Sequence, residues 1–311
     1  MKKALLQMHL AVLLWGFTGV LGRAITLDAP MLVWYRMLLT ALFMAGILFY
    51  RKQWVPIAKK DFKQLIWVGC LMGIHWVAFY GSIKLANASI ALVCLSTASI
   101  FTTLTDSLLH RKKPDMGEVW IGLLAIAGVA VMYFAPHEPS AAAEGDAAMP
   151  DRNLGIICGV IAAILSAVFT VLNKRIAAKY PARTMVFYEM GSGWLFISLL
   201  LPLQFLYVPE TRLIPNMWDL IWLVILSLCC TVWAQSLALS ALKHISSFTA
   251  TLSVNLEPLY GIALAFFFFQ ENQELNWGFY AGLGLILLSV VLQMLRVLRP
   301  SNYVADRGAI D

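Results

Sequence analysis

The chain is poor in charge. Asp, Glu, Lys and Arg make up 13% of its 311 residues, against about 25% in soluble domains. It is also poor in groups that build a chemical centre. Its five histidines form no HExxH pair, and the sequence holds neither a GxSxG turn nor a GxxxxGK[ST] phosphate loop. Zincin and serine-hydrolase chemistry and ATP hydrolysis by a Walker loop are therefore not expected. The five cysteines, Cys70, Cys94, Cys158, Cys229 and Cys230, all fall in apolar runs. None has zinc-type spacing with a histidine. They read as small core residues, with no disulfide framework, no metal and no cofactor. The net charge of +6 sits in short loops. There it orients a membrane chain and does not imply a nucleic-acid partner.

What the chain has in excess is apolar surface. Hydrophobic residues reach 60% and the mean hydropathy is +0.77, where soluble domains have about 45–50% apolar residues. The fold class expected is an all-α integral membrane protein in a lipid bilayer. Runs long enough to span appear at about 5–22, 31–50, 64–84, 89–109 and 117–135, and again at about 153–174, 184–206, 217–241, 247–269 and 277–296. That predicts ten transmembrane helices. The expected division is 1–135 and 153–299 as two five-helix units, with 136–152 a linker and 300–311 a polar tail. Lys2 and Lys3 before Leu5 to Leu21 resemble a signal sequence, but no small-x-small site follows, which predicts an uncleaved first span.

Basic residues divide unevenly. One set of loops holds Lys2, Lys3, Arg51, Lys52, Lys59, Lys60, Lys63, Arg111, Lys112, Lys113, Lys174, Arg175, Lys179, Arg183 and Lys243. The other holds Arg23, Lys84, Arg152 and Arg212, with Glu138, Glu144, Asp146 and Asp151. The positive-inside bias predicts that both termini are cytoplasmic and the linker extracytoplasmic.

The two units repeat one another. Trp15–Arg23 aligns with Ser166–Lys174, and Pro30 with Pro181 at the same offset of 151. Tyr35-Arg36 aligns with Tyr188-Glu189. At an offset of 159, Trp76 falls on Gln235, Lys84 on Lys243 and Ser99 on Pro258. An odd number of spans per unit requires opposite insertion. Inverted-topology repeats of this kind are built into secondary transporters, with substrate near the midplane.

Several polar groups lie at depth. Glu257, followed by Pro258, sits mid-span in an apolar run. A charge there costs about 2.5–3.5 kcal/mol even on insertion scales, and Pro258 removes a helical hydrogen bond. Its repeat mate, Ala98-Ser99, has neither charge nor break by sequence. Arg36 lies near one end of the second span, where it either snorkels or meets substrate. Glu189, its mate, has Lys179 or Arg183 as expected partners. The third span brings together His75, Trp76, Phe79 and Tyr80, as packing or as pocket wall. Gln235 reads as helix glue or ligand contact. Trp15 lies centrally, and Asn255 and Tyr260 flank Glu257. Ser96, Thr97 and Ser99 are expected to bond their own backbone, and Asp106 to face Arg111 or Lys112. Gly69/Gly73, Gly155/Gly159 and Gly278/Gly282 have small-xxx-small spacing for close helix contact or, in the tenth span, for dimerisation.

Trp15-Gly16, the segment Pro30 to Arg36, Leu256-Glu257-Pro258 followed by Gln270-Glu271, and Gly282 resemble the EamA-type branch of the drug/metabolite transporter superfamily. The resemblance covers about 5–296 as two units. One departure is His110-Arg111, where the family pattern often has an acid. The resemblance implies a ten-helix carrier of the cell inner membrane. It also implies a central cavity opening alternately to each side, with the fifth and tenth spans at the edge of the fold. Bacterial members often export amino acids.

The leading expectation is therefore a secondary transporter, not an enzyme, moving small polar metabolites such as amino acids outward by alternating access. The expected substrate-binding residues are Trp15, Arg36, His75, Trp76, Phe79, Tyr80, Gln235, Asn255, Glu257 and Tyr260. His75, Glu189 and Glu257 are candidates for proton coupling. Exchange and facilitated diffusion stay open as energy sources. A channel or an intramembrane enzyme is the alternative, although no nucleophile accompanies His75 and Glu257. A homodimer through the fifth and tenth spans completes the expectations.

Overall fold

The computed structural model describes residues 2–135, 151–208, 210–254, 256–273 and 275–298. Most of the expected linker, all of the expected tail and Asn255 lie outside them. The described chain is helical, with no strand among the described residues. The first half comprises α1 Lys2–Ala24, α2 Ala29–Tyr50, α3 Lys59–Leu85, α4 Ala88–Leu95, α5 Ala98–His110 and α6 Met116–Phe134. The second half comprises α7 Arg152–Ala177, α8 Ala182–Tyr207, α9 Met217–Ser227, α10 Ala234–Leu242, α11 Ser247–Val254, α12 Glu257–Phe269 and α13 Trp277–Leu298. A π-helical turn, Leu228–Trp233, joins α9 to α10. Among the described residues nine helical stretches are long and apolar enough to cross a membrane. The remaining expected span, 247–269, is the shorter pair α11 and α12.

Helix ends follow local chemistry. Asn87 caps α4, Asp115 caps α6 and Asp151 caps α7, each through a side-chain oxygen taking a backbone N–H of the first turn. A reciprocal capping box between Asn216 and Asp219 starts α9. Pro30 stands in the first turn of α2 and Pro258 in that of α12, where no intrahelical N–H is lost.

The break between α11 and α12 has a counterpart that the sequence did not announce. The expectation that the Ala98-Ser99 region carries no break is wrong: α4 stops at Leu95 and α5 begins at Ala98. Thr97 N–H turns back to Cys94 O at 3.1 Å, and Leu256 N–H to Ser253 O at 3.1 Å. These bonds are repeat mates at the offset of 159. Both broken spans then end on a left-handed residue, Arg111 at φ 50° and Gln270 at φ 54°. These are also mates. The two halves share a backbone plan even where one half lacks the proline.

Small residues set the crossings. A Cβ on Gly69 of α3 would strike Glu189 O and Ser192 Oγ of α8. Gly128 of α6 and Gly282 of α13 meet backbone to backbone. Gly155 and Gly159 of α7 lie against Ala86 and Cys94. The expected glycine stripes are used for packing within the chain. A dimer through α6 and α13 would have to use their other faces. Those faces present Trp120 and Leu295, each more than half exposed, and the rest of the bundle's outside presents Leu6, Phe49, Leu199 and Leu206, each at least 70% exposed, as a lipid-facing surface does.

Gly69→Ala should lower the thermal midpoint of the purified protein. Ala favours a helix interior by about 0.8–1.0 kcal/mol over Gly, but overpacking at a backbone crossing costs about 1–3 kcal/mol. Gly46→Ala, where no atom lies within 4 Å of the added Cβ, should leave the midpoint level or raise it. Equal behaviour of the two variants in a thermal-unfolding assay would refute the crossing.

Candidate functional site

Between the halves lies a cavity of about 880 Å³, counted with its mouth. Its wall includes Met8, Trp15 and Thr18 of α1, Arg36 of α2, and Met72, His75, Trp76 and Phe79 of α3. The second half contributes Ser166, Phe169, Thr170 and Asn173 of α7, Gln235, Ala238, Leu239 and Leu242 of α10, Ala250 and Val254 of α11, and Glu257 of α12. Leu242 ends α10 and Ala250 lies in the first turn of α11. The cavity thus reaches the end of the bundle where α1 begins, the Lys2 end. Toward the other end, the Arg23 end, its liners Thr18, Arg36 and Phe79 stop short of the last turn.

Arg36 is 1% exposed, so it does not snorkel. Its Nε donates to Thr231 Oγ1 at 2.9 Å and its Nη1 to Tyr80 OH at 2.6 Å. Its guanidinium lies 3.8 Å from the centre of the Trp76 ring, a desolvated cation–π contact. Thr231 reaches it from the π-turn, where its own hydroxyl donates to Leu226 O at 3.1 Å. Tyr80 is fully buried behind the guanidinium and does not line the cavity.

Glu257 opens α12 and is 5% exposed. The helix N-terminus there favours its negative charge. It lines the same cavity as Arg36. Yet no Arg36–Glu257 contact within 4 Å occurs among the ion pairs of the described residues. A guanidinium and a carboxyl group share one chamber without closing on each other.

The remaining wall is aromatic and weakly polar. His75 Nδ1 lies 2.7 Å from Ala162 O, so that nitrogen carries the hydrogen and donates it. The His75 ring stacks on Phe79 and meets the edge of Phe169 at 5.2 Å. Trp15 and Gln235 complete the predicted residues in the cavity. Tyr260 is not one of them: it is 37% exposed and its Cβ packs on Gly16. Glu189 lies outside the wall, fully buried. Its expected partners are taken, Lys179 by Asp61 at 3.0 Å and Arg183 by Gln53 at 2.9 Å. Asp106 pairs with His110 at 3.0 Å and not with Arg111 or Lys112. Ser96, Thr97 and Ser99 bond their own backbone, as expected.

Sequence reasoning missed Met8, Thr18, Met72, Ser166, Phe169, Thr170 and Asn173. The repeat register held the signal for three of them, Thr18, Ser166 and Phe169. At the offset of 151, Trp15 and Thr18 map onto Ser166 and Phe169. At 159, Trp76, Phe79 and Leu95 map onto Gln235, Ala238 and Val254, and all of these residues line the cavity.

A polar latch closes the Arg23 end. Glu271 is fully buried. It accepts the N–H groups of Ala88 and Ser89 at 3.2 and 2.9 Å, the Ser89 hydroxyl at 2.5 Å and Arg23 Nη1 at 2.5 Å. Together with Asn87, it satisfies the first N–H groups of α4. Asp219 takes the backbone N–H and hydroxyl of Thr26 at 2.7 and 2.8 Å. Both carboxylates belong to the second half and all of these donors to the first.

A cavity between two halves of a multi-pass helical bundle, closed at one end by polar contacts, is the architecture of a membrane transporter. The chain belongs to the EamA-like transporter family, whose model matches residues 2–134 and 153–295. An uncharacterized transporter of Archaeoglobus fulgidus is 23% identical over 291 residues, 92% of this chain and 94% of that one. A protein of known crystal structure superposes with a TM-score of 0.66 at 16% identity, over 96% of this chain and 99% of its own. That likeness is one of fold alone.

Glu271→Ala should destabilise the protein by about 3–5 kcal/mol, as removal of one member of a buried charge pair does. Arg23→Ala should cost less, because the α4 donors still hold the carboxylate. Thermal unfolding of the two variants in detergent checks the order, and a larger loss for Arg23→Ala would contradict it.

Proposed function

We propose that this transporter moves small zwitterionic metabolites, amino acids or close relatives, outward across the cell inner membrane by alternating access. The observation that carries the reading is the pair of separated charges: Arg36 and Glu257 line one chamber with no direct contact. A carboxylate on Arg36 and an ammonium on Glu257 would neutralise both charges at once. Trp15, Trp76, Phe79 and Phe169 supply an apolar wall for the rest of the molecule, as metabolite pockets do.

The matched helix breaks, the matched left-handed caps and the paired wall residues support two halves of inverted topology. With the Lys2 end cytoplasmic, as the basic loops argue, the cavity reaches the cytoplasm and the latch faces outward. Loading from inside and release through an opened latch then follow from one rearrangement of the halves. A channel needs no such latch, and the described residues hold no cluster of metal ligands that an intramembrane metalloenzyme would use.

In proteoliposomes, exchange of labelled amino acids should saturate with concentration. Arg36→Ala and Glu257→Gln should each reduce it at least tenfold, about 1.4 kcal/mol of lost interaction, with folding checked by thermal unfolding. Non-saturating flux would favour a channel. Unchanged exchange in both variants would remove the charge pair from the substrate site.

A further inference from the structure

Among the described residues, Glu189 is a buried carboxyl group for which neither packing nor the proposed site accounts. Its exposure is 0%, and both carboxylate oxygens lack a hydrogen-bond donor. α3 presses against its backbone at Gly69, and the nearby Ser192 hydroxyl is spent on Tyr188 O at 2.7 Å. The polar group facing the carboxylate is the Asn173 side chain of α7. Asn173 Oδ1 is likewise buried without a partner, and Asn173 lines the cavity.

Buried acceptor atoms without donors are costly: an unsatisfied buried polar group costs about 1–3 kcal/mol, and an unpaired buried charge more. No charged side chain from the helices packed around Glu189 relieves it. On α2, Arg36 is committed to Tyr80 and Thr231. At the Lys2 end of α3, Asp61 is paired with Lys179 and Tyr180, and His75 donates to Ala162 O. On α7, Lys174 donates to the Leu242 and Ile245 carbonyls. The neighbouring stretch of α10 carries only Gln235 and serines as polar side chains. A single proton resolves the arrangement. A carboxylic acid at Glu189 would remove the unpaired charge and offer an O–H to the facing Asn173 side chain, whose Oδ1 lacks a donor.

We propose that Glu189 is a proton-carrying site of the transport cycle, reached from the cavity through Asn173. The proposal rests on the carrier reading above. Glu189 is the repeat mate of Arg36, which faces the cavity in this conformation. If the halves exchange conformations during transport, Glu189 comes to face the cavity while the Arg36 side closes. The O–H bond then breaks, the proton passes to cavity water, and the carboxylate is left solvated. The reverse conformation takes the proton back.

Infrared difference spectroscopy of the purified protein across a pH titration tests the protonated state without a substrate. A carboxylic-acid C=O band should be present at neutral pH, vanish in Glu189→Gln and persist in Glu257→Gln. In Asn173→Leu it should shift to higher wavenumber, because its acceptor is gone. Glu189→Gln is isosteric, and its amide can still donate to Asn173, so it should fold. A spectrum unchanged in that variant overturns the proposal. In proteoliposomes, the ratio of pH-gradient-driven accumulation to amino-acid exchange should fall at least tenfold in Glu189→Gln. A ratio equal to wild type overturns the proposal, as does a wild type that exchanges amino acids but ignores the gradient, and both outcomes leave the carrier reading standing. A wild type that exchanges nothing sinks the carrier reading and the proton cycle with it.

Discussion

A guanidinium cannot be held inside an apolar bundle unless each of its faces is met, and the middle of this protein is built to meet them. Arg36 takes one hydroxyl from α3, one from the π-turn and an indole face from Trp76. Each donor or acceptor fixes an element. Tyr80 sets the rotation of α3 about its axis, and with it the outlook of His75, Trp76 and Phe79. Thr231 requires the π-turn, because a wider turn re-aims a side chain that a regular α-helix would direct elsewhere. The Arg36 carbonyl is tied as well, to Thr40 Oγ1 at 2.7 Å and Ser227 Oγ at 3.3 Å. With one charge satisfied this way from three sides, α2, α3 and the continuous α9–π-turn–α10 span have little freedom to drift. The cavity wall is a consequence of that arrangement.

The same rule works at the Arg23 end. Helix N-termini need acceptors in a medium that offers no water, and α4 finds one in Glu271 of the other half. A capping requirement thereby becomes a contact between halves. Asp219 does the same for Thr26 while also capping α9. Closing the Arg23 end of the cavity therefore uses bonds that the helix ends need in any case. Opening it must replace them with water, which is available only if that end faces an aqueous phase.

Much of this was legible in the chain. Apolar run lengths gave the spans, the basic loops gave an orientation to test, and seven of the ten residues expected at the site lie in the cavity wall. The polar ones were legible because polar residues at membrane depth are expensive and so mark purpose. Tyr260 misled because proximity to Glu257 in sequence does not fix a helix face, and it turned toward Gly16. Tyr80 is one step removed from the wall for the opposite reason, as the acceptor that holds Arg36. The break at Ser96–Thr97 was hidden because no proline or glycine writes it. It follows from the three-residue turn that the repeat imposes and that its own hydroxyls close. Glu271 read only as a family-typical acid, since its donors lie some 180 residues away in the first half.

The repeat also explains why the halves differ where they matter most. Identical halves would put like charges at like depths, and a symmetric chamber could bind only what satisfies two copies of one group. Here the mates have diverged in opposite senses: Arg36 against Glu189, Ala98 against Glu257, Trp76 against Gln235. The backbone plan, with its breaks and left-handed caps, stays common to both. On the proposed cycle, a shared backbone lets the halves trade conformations, and unlike side chains give each conformation its own chamber. In the conformation seen, the base and the acid of the chamber come from Arg36 and Glu257, while Glu189 lies sealed behind Asn173. On the proposed cycle, trading conformations would remove Arg36 from the chamber and bring Glu189 forward. A zwitterionic substrate would then lose its carboxylate partner in the step that exposes a second carboxylate. The field that loads the substrate would thereby be reversed on the side of release.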